Sequence, residues 1–310
     1  MPDSSCPAGC AGEAREASKL PEWFRQDVPD GRALHEMRAL LKANGLHTVC
    51  EGARCPNLGE CWKNRTATFM ILGDTCTRAC RFCAVKAGPP AVPDADEPLA
   101  VADAVRRLGL KYVVLTSVTR DDLPDQGALH FARTVRAVRD VNPGVHVEVL
   151  IPDFSADEEL LRFIVEAGPA VVGHNIETVR RISPAVRSAA DYDRSLKVLS
   201  LLRRLSGSIF VKSGLMAGMG ETDEEIILTL QDLKDAGCDI VTVGQYLAPL
   251  KGGRHIAVDR FVPPGTFERY REEGLKRGLT FVLAGPLVRS SYLAEKGFYS
   301  CQSARGALVG

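Results

Sequence analysis

Two short stretches of this chain each crowd three cysteines. In Asp74-Thr75-Cys76-Thr77-Arg78-Ala79-Cys80-Arg81-Phe82-Cys83 the spacing is C-x3-C-x2-C; in Val49-Cys50-Glu51-Gly52-Ala53-Arg54-Cys55-Pro56-Asn57-Leu58-Gly59-Glu60-Cys61 it is C-x4-C-x5-C. Three thiolates on one loop can hold three irons of a [4Fe–4S] cluster while the fourth iron keeps an open position, which is where chemistry takes place. For Cys76, Cys80 and Cys83 the competing zinc reading lacks a fourth ligand close by. Around Cys50, Cys55 and Cys61 the residues Gly52, Pro56, Asn57 and Gly59 mark irregular backbone that lets sulfurs converge. There a structural zinc or a redox disulfide stays open beside the cluster. Cys238 and Cys301 have no partner spacing and read as inert thiols; Cys6 and Cys10 read as solvent-exposed thiols. His130 and His146 fall on expected helix or strand faces and read as packing or surface residues.

Loops of this kind need a scaffold, and the pattern supplies one from residue 67 onward. Short β-rich runs at 67–73, 111–117, 145–151, 170–176, 208–215 and 239–246 alternate with helix-like stretches near 98–109, 128–140, 157–167, 191–205 and 222–236. Such alternation implies parallel βαβ units and an α/β fold, a partial (β/α)6 TIM-type barrel over 67–283. Chemistry in that architecture sits at the carboxyl ends of the strands. The places to look are the Cys loop after 73, Ser117–Asp122, His174–Glu177, Gly214–Glu221 and Gln245–Pro249. Residues 1–30 read as a mobile arm, residues 31–66 as an N-terminal extension with helical spacing at Leu34–Leu41, and residues 284–310 as a C-terminal extension.

The chain has 310 residues, 45% hydrophobic and 25% charged, enough apolar material for a full core. Lys and Arg number 39 against 39 Asp and Glu, so nothing in the net charge points to nucleic acid. No apolar run approaches the ~20 residues of a bilayer span. The first thirty residues carry neither an apolar export region nor an Arg-rich import pattern, so the reading is cytoplasmic, with reduced thiols available for metal.

The segment Ala67-Thr68-Phe69-Met70-Ile71-Leu72-Gly73-Asp74, leading into C-x3-C-x2-C, resembles the lipoyl synthase family of the radical S-adenosylmethionine enzymes. The upstream C-x4-C-x5-C triplet and Arg289-Ser290-Ser291-Tyr292 narrow the likeness to this family. The resemblance implies insertion of two sulfur atoms at the sixth and eighth carbons of an octanoyl chain on a carrier-protein lysine. Those C–H bonds are unactivated, so a carbon radical is required. By resemblance, Cys76, Cys80 and Cys83 hold the cluster that binds S-adenosylmethionine and generates the radical. Cys50, Cys55 and Cys61 in the extension hold a second, auxiliary [4Fe–4S] cluster that donates sulfur, with Ser291 as its fourth and catalytically important ligand. An alkoxide is a harder ligand than a thiolate, which makes a serine-bound iron the easiest to shed; undiminished sulfur insertion by Ser291→Cys would remove that rationale.

The resemblance also suggests cofactor contacts. Phe82 lies near the adenine, Asn175 and Glu177 hold the ribose or methionine part, and Lys212, Gly218 and Glu221 of the segment after the fifth run approach the cofactor. For the acidic run after Thr222 a helix start is a sufficient explanation, and Ser117–Asp122 reads equally as a solvated loop. Implied partners are octanoylated lipoyl carrier domains or glycine-cleavage H protein, an electron donor such as ferredoxin or flavodoxin, and a cluster-assembly or carrier protein. A local patch including Arg78 and Arg81 could steer an acidic carrier domain. Two other readings compete: a biotin-synthase-like sulfurtransferase or methylthiotransferase, and a two-cluster electron carrier. The latter usually binds each cluster with four thiolates on a shorter chain.

Overall fold

The computed structural model describes residues 20–26, 31–63, 66–187, 189–249 and 253–307. Cys6 and Cys10 lie outside the described residues. Helix α1 (Gly31–Ala43) leads to strand β1 (His47–Thr48); Cys50 then lies in α2 (Val49–Gly52), Cys61 in α3 (Leu58–Lys63), and Cys55 in the segment between them. Strand β2 (Thr68–Ile71) is buried along its whole length and ends at the Cys76 loop, whose small ladder pairs β3 (Thr75–Cys76) with β4 (Lys86–Ala87).

Helix and strand then alternate: α4 (Glu97–Leu108), β5 (Tyr112–Ser117), α5 (Ala128–Val141), β6 (His146–Leu150), α6 (Glu158–Glu166), β7 (Val171–Gly173), α7 (Ser183–Val186), α8 (Tyr192–Leu205), β8 (Phe210–Ala217), α9 (Asp223–Asp235) and β9 (Ile240–Gln245). The helices start where capping predicts. Asp157 and Asp191 accept first-turn N–H bonds in α6 and α8, and Thr222 with Glu225 forms a capping box on α9. The chain continues through α10 (Pro264–Lys276), β10 (Phe281–Gly285) and α11 (Ala294–Ala307).

The main sheet runs β1-β2-β5-β6-β7-β8-β9-β10, parallel throughout except for the antiparallel pairing of β1 with β2. Its central strands are buried on both faces, as expected of a parallel sheet covered by helices. This is the α/β partial barrel that the alternation predicts, with one difference. β10 adds a parallel strand beyond the six runs, paired residue for residue with β9 from Phe281↔Ile240 to Gly285↔Gly244. Helix α11 packs Ala294, Phe298 and Cys301 against Tyr112, Phe210 and Ile240 at the amino ends of the strands. The segment between β10 and α11 therefore passes from the carboxyl end of the barrel to its amino end. Gly244 lets it approach closely, since a Cβ there would meet the Val288 carbonyl oxygen at 2.1 Å.

Candidate active site

A cavity of about 470 Å³ opens at the carboxyl ends of the strands, within the range of small-molecule sites. Every strand-end loop expected to carry ligands reaches it: Ser117–Thr119, His174, Asn175, Glu177, Tyr246–Pro249 and, from Gly214–Glu221, Met216 line it beside the Cys loop. Cys76, Cys80 and Cys83 line one part. Cys50, Cys55 and Cys61 line another, together with Arg289–Tyr292. Both triplets thus face one space, with apolar walls that include Met70, Val118, Leu150, Ile151 and Leu247. All eight described cysteines are free thiols, so no disulfide ties the second triplet. Among the described residues no group of three His, Cys, Asp or Glu side chains is placed to share a single metal ion.

The Cys76 loop is held by the loop after β5. Thr77 N–H donates to the Thr119 carbonyl at 3.1 Å, Thr119 N–H donates to Cys76 Sγ at 3.3 Å, and Arg78 N–H donates to the same sulfur at 3.4 Å. The Arg78 guanidinium turns inward, 2.7 Å from Asp121 and 2.9 Å from Asp153, with its side chain only 9% exposed. This corrects its assignment to a surface patch; Arg81 is the exposed one, bonded to the carbonyls of Arg254 and Ala185. Burial alone would raise the Asp153 carboxyl, but Arg78, with His174 and Arg194 behind it, holds it down at about 2. His174 is enclosed beneath the cavity, its Nδ1–H donating to the Ile151 carbonyl at 3.0 Å, and burial with the nearby Arg187 charge lowers it to about 4. Burial and the neighbouring charges of Cys80, Glu177 and Cys76 push the Cys83 thiol up to about 12.

The second triplet is joined to the C-terminal extension by long-range bonds. Asn57, 1% exposed, donates its amide to the Leu287 carbonyl at 2.7 Å and accepts from Gln26 at 3.1 Å. The Tyr292 hydroxyl donates to Glu60 at 3.1 Å. These latches bring Ser291 into the cavity beside the triplet and also into a small adjoining cavity that Cys61 lines. Burial raises the Cys50 thiol to about 11, and burial with the charges of Cys50 and Cys55 raises Cys61 to about 12. An anionic shell therefore needs a cation to compensate it. The surroundings fit that demand. Arg289 sits beside Cys55 and donates to the Val288 carbonyl at 2.7 Å, and the buried Trp62 indole N–H lies beside Cys50 but, among the described residues, outside hydrogen-bond geometry.

Of the residues expected to touch the cofactor, Phe82, Asn175 and Glu177 line the cavity. Glu177 has left-handed backbone, φ 68°, held by bonds to Gly214 and Met216. Burial raises its carboxyl above the usual carboxylate range, against the pull of Arg187 and Asn175. The other three do not line the cavity. Lys212 turns away from the mouth to pair with buried Glu148 at 2.6 Å. The space beside Gly218 is filled by Gln245, and Glu221 accepts the backbone N–H groups of Gly218 and Met219 at 2.6 and 2.8 Å. Sequence reasoning missed Asn57, Glu60, Asp153 and Arg187. Arg187 is buried on the cavity wall, bonded to Ser195 Oγ at 2.8 Å, with its charge beside Glu177 and Cys80. His130 is more than packing, since it hydrogen-bonds buried Glu97 at 2.7 Å.

Comparison with known proteins agrees with this geometry. Residues 70–233 match the Radical SAM superfamily, and residues 10–55 match the N-terminal domain of lipoyl synthase of that family. Lipoyl synthase of Rubrobacter xylanophilus is 50% identical over 288 residues, 93% of this chain and 88% of the relative. That of Caldanaerobacter subterraneus subsp. tengcongensis is 53% identical over 279 residues, 90% of this chain and 97% of the relative. Streptococcus suis SuiB bound to S-adenosylmethionine superposes with a TM-score of 0.55 at 12% identity, covering 82% of this chain and 60% of that one. The FeFe-hydrogenase maturase HydG from Carboxydothermus hydrogenoformans gives 0.52 at 13%, covering 76% and 65%. The structural likenesses show the fold; the sequence relatives go further, and the chain belongs to the lipoyl synthase family of the radical S-adenosylmethionine superfamily.

Proposed function

We propose that this chain inserts sulfur at the sixth and eighth carbons of an octanoyl group carried on a protein lysine, with the cluster of Cys50, Cys55, Cys61 and Ser291 as the donor. Membership of the family makes it a sulfur-inserting enzyme that uses S-adenosylmethionine and two [4Fe–4S] clusters. The observation that carries the finer reading is one cavity lined by both Cys triplets and by Ser291. A donor and a radical source must reach the same substrate carbon, and a shared cavity allows it.

When bound, these cofactors supply the one-electron cleavage of unactivated C–H bonds and the sulfur, chemistry that no side chain here offers. Cys76, Cys80 and Cys83 would hold one cluster, with Sγ of Cys76 steadied by two backbone N–H donors. Asn175, Glu177 and Phe82 would orient S-adenosylmethionine, with Arg187 supplying positive charge on the same wall. The apolar wall of Met70, Val118, Leu150, Ile151 and Leu247 receives an alkyl chain and keeps water from reactive carbon. Arg289 offsets negative charge at the second triplet.

The substrate side of this reading comprises octanoylated lipoyl carrier domains or glycine-cleavage H protein. A ferredoxin or flavodoxin supplies electrons, and a cluster-carrier protein restores the donor. Among the described residues no helix is long and apolar enough to cross a membrane, which accords with a proposed cytoplasmic location. The test is anaerobic turnover of reconstituted protein with reductant, S-adenosylmethionine and an octanoylated carrier domain. Mass spectrometry should find lipoyl-lysine together with 5′-deoxyadenosine; 5′-deoxyadenosine with no sulfur-bearing product, from protein holding both clusters, would overturn the proposal.

A further inference from the structure

Leu72, the last residue before the turn into the Cys76 loop, has left-handed backbone with φ 68°. A leucine holds that conformation only when its surroundings impose it. Here every part of the residue is held. Its N–H donates to Glu97 Oε2 at 2.8 Å, and its carbonyl accepts from Arg120 Nη1 at 3.3 Å. Its side chain fills the place where Gly127 lacks a Cβ, with Leu72 Cδ1 2.4 Å from that position. The same Glu97 oxygen takes a second bond from His130 Nε2 at 2.7 Å, and Arg120 is itself fixed by two bonds to Asp122. Glu97, His130 and Arg120 are buried. None of them, nor Leu72, lines the cavity.

Burying a carboxylate and an imidazole costs free energy, and Asp96 already occupies the N-cap position of α4. The arrangement is explained by what lies downstream. Gly73 continues the turn with φ 94°, and Cys76 follows within a few residues. The direction in which Leu72 launches the chain decides where the thiols of Cys76, Cys80 and Cys83 point.

We infer that Glu97, seated by His130, is a positioning residue for the Cys76–Cys83 loop, pinning Leu72 in its left-handed conformation so that the three thiols face the cavity. The inference rests on reading that loop as a cluster site. It deepens that reading by adding residues that never touch the cluster.

The test isolates each cluster in the full chain. One background carries Cys50, Cys55 and Cys61 as Ala, leaving only the Cys76-loop site; the other carries Cys76, Cys80 and Cys83 as Ala. After anaerobic reconstitution, the rate of iron loss to a ferrous chelator is measured in each. In the first background Glu97→Ala should speed the loss about 10- to 100-fold, the range spanned by a buried hydrogen bond to a charged acceptor. It should also blunt the change in the reduced cluster's electron paramagnetic resonance signal on adding S-adenosylmethionine. Glu97→Gln, whose amide oxygen still accepts from Leu72, should restore most of both properties. In the second background Glu97→Ala should change nothing. Equal acceleration in both backgrounds would mean a general loss of structure and overturn the inference, as would an unchanged rate in the first. Should Glu97→Ala not fold, His130→Gln must give the same selective direction, and its failure to do so is equally contrary. If the first background binds no iron before Glu97 is touched, it is the cluster reading that falls, which separates the two failures.

Discussion

Asn57→Ala should uncouple cofactor cleavage from sulfur insertion. The Asn57 side chain is 1% exposed and spans the gap between the second Cys triplet and the C-terminal segment, donating to the Leu287 carbonyl at 2.7 Å. Alanine leaves that carbonyl without its donor, a cost of about 1–3 kcal/mol. At about 1.4 kcal/mol per tenfold, the balance between seated and released C-terminal segment shifts by about 5- to 150-fold. The Tyr292–Glu60 bond, at 3.1 Å between more exposed partners, remains but is worth only about 0.5–1.5 kcal/mol. Ser291 stands next to Tyr292 and loses its fixed place beside Cys61. The Cys76 loop has its own supports in Thr119 and Asp121 and is unaffected. The assay is anaerobic turnover with both products quantified. 5′-Deoxyadenosine should persist while lipoyl product falls, so that their ratio rises at least about fivefold, the lower bound of the hydrogen-bond cost. A parallel fall of both products, or no change in either, would refute the reasoning.

Other perturbations have outcomes of known sign. Lys212→Met should destabilise the fold by about 3–5 kcal/mol, because it leaves the Glu148 carboxylate, whose side chain is 3% exposed, without its countercharge and with the Tyr112 hydroxyl as its remaining partner. Adding Glu148→Leu together with Tyr112→Phe, which removes the hydroxyl that Glu148 accepts from, should recover most of that loss, and denaturant titration reads both; a single variant as stable as the parent contradicts the pairing. The metal-free chain should lose stability as pH falls from about 6.5 to about 4, because unfolded His174 takes up a proton near the ordinary value while folded His174 stays neutral down to about 4. The unfolded state then holds more protons across that interval, at a cost of roughly 3 kcal/mol. His174→Gln should flatten the slope of Tm against pH there; an unchanged slope contradicts the assignment.

The parts legible in the sequence were those fixed by local rules. Both triplets stand out in the sequence as closely spaced cysteines on short stretches, and both line one cavity. Helices such as α6 and α9 begin at capping residues, and their expected bounds differ from the structure by a residue or so. The strand-end rule placed residues of all five expected loops on the cavity, the one after β8 through Met216. Long-range pairing left no such mark. Asn57 looks like a turn residue until Leu287, 230 positions away, supplies its acceptor. Lys212 and Glu221 are polar residues near a strand end, and nothing local tells a side chain facing the cavity from one satisfied beneath it. Only the structure shows Glu148 and the backbone of Gly218 and Met219 as their partners. β10 follows helix α10 across the turn at 277–280, and its pairing with β9 is visible only in the assembled sheet.

The central claim is that each triplet holds its own iron–sulfur cluster and that the two do different work. Iron and acid-labile sulfide counted on anaerobically reconstituted protein, with and without alanine at Cys50, Cys55 and Cys61, test it most directly. The account predicts two cubanes in the parent and one in the variant, which should still cleave S-adenosylmethionine yet form no lipoyl product. A single cubane or zinc alone in the parent, or lipoyl product from the variant, would contradict it.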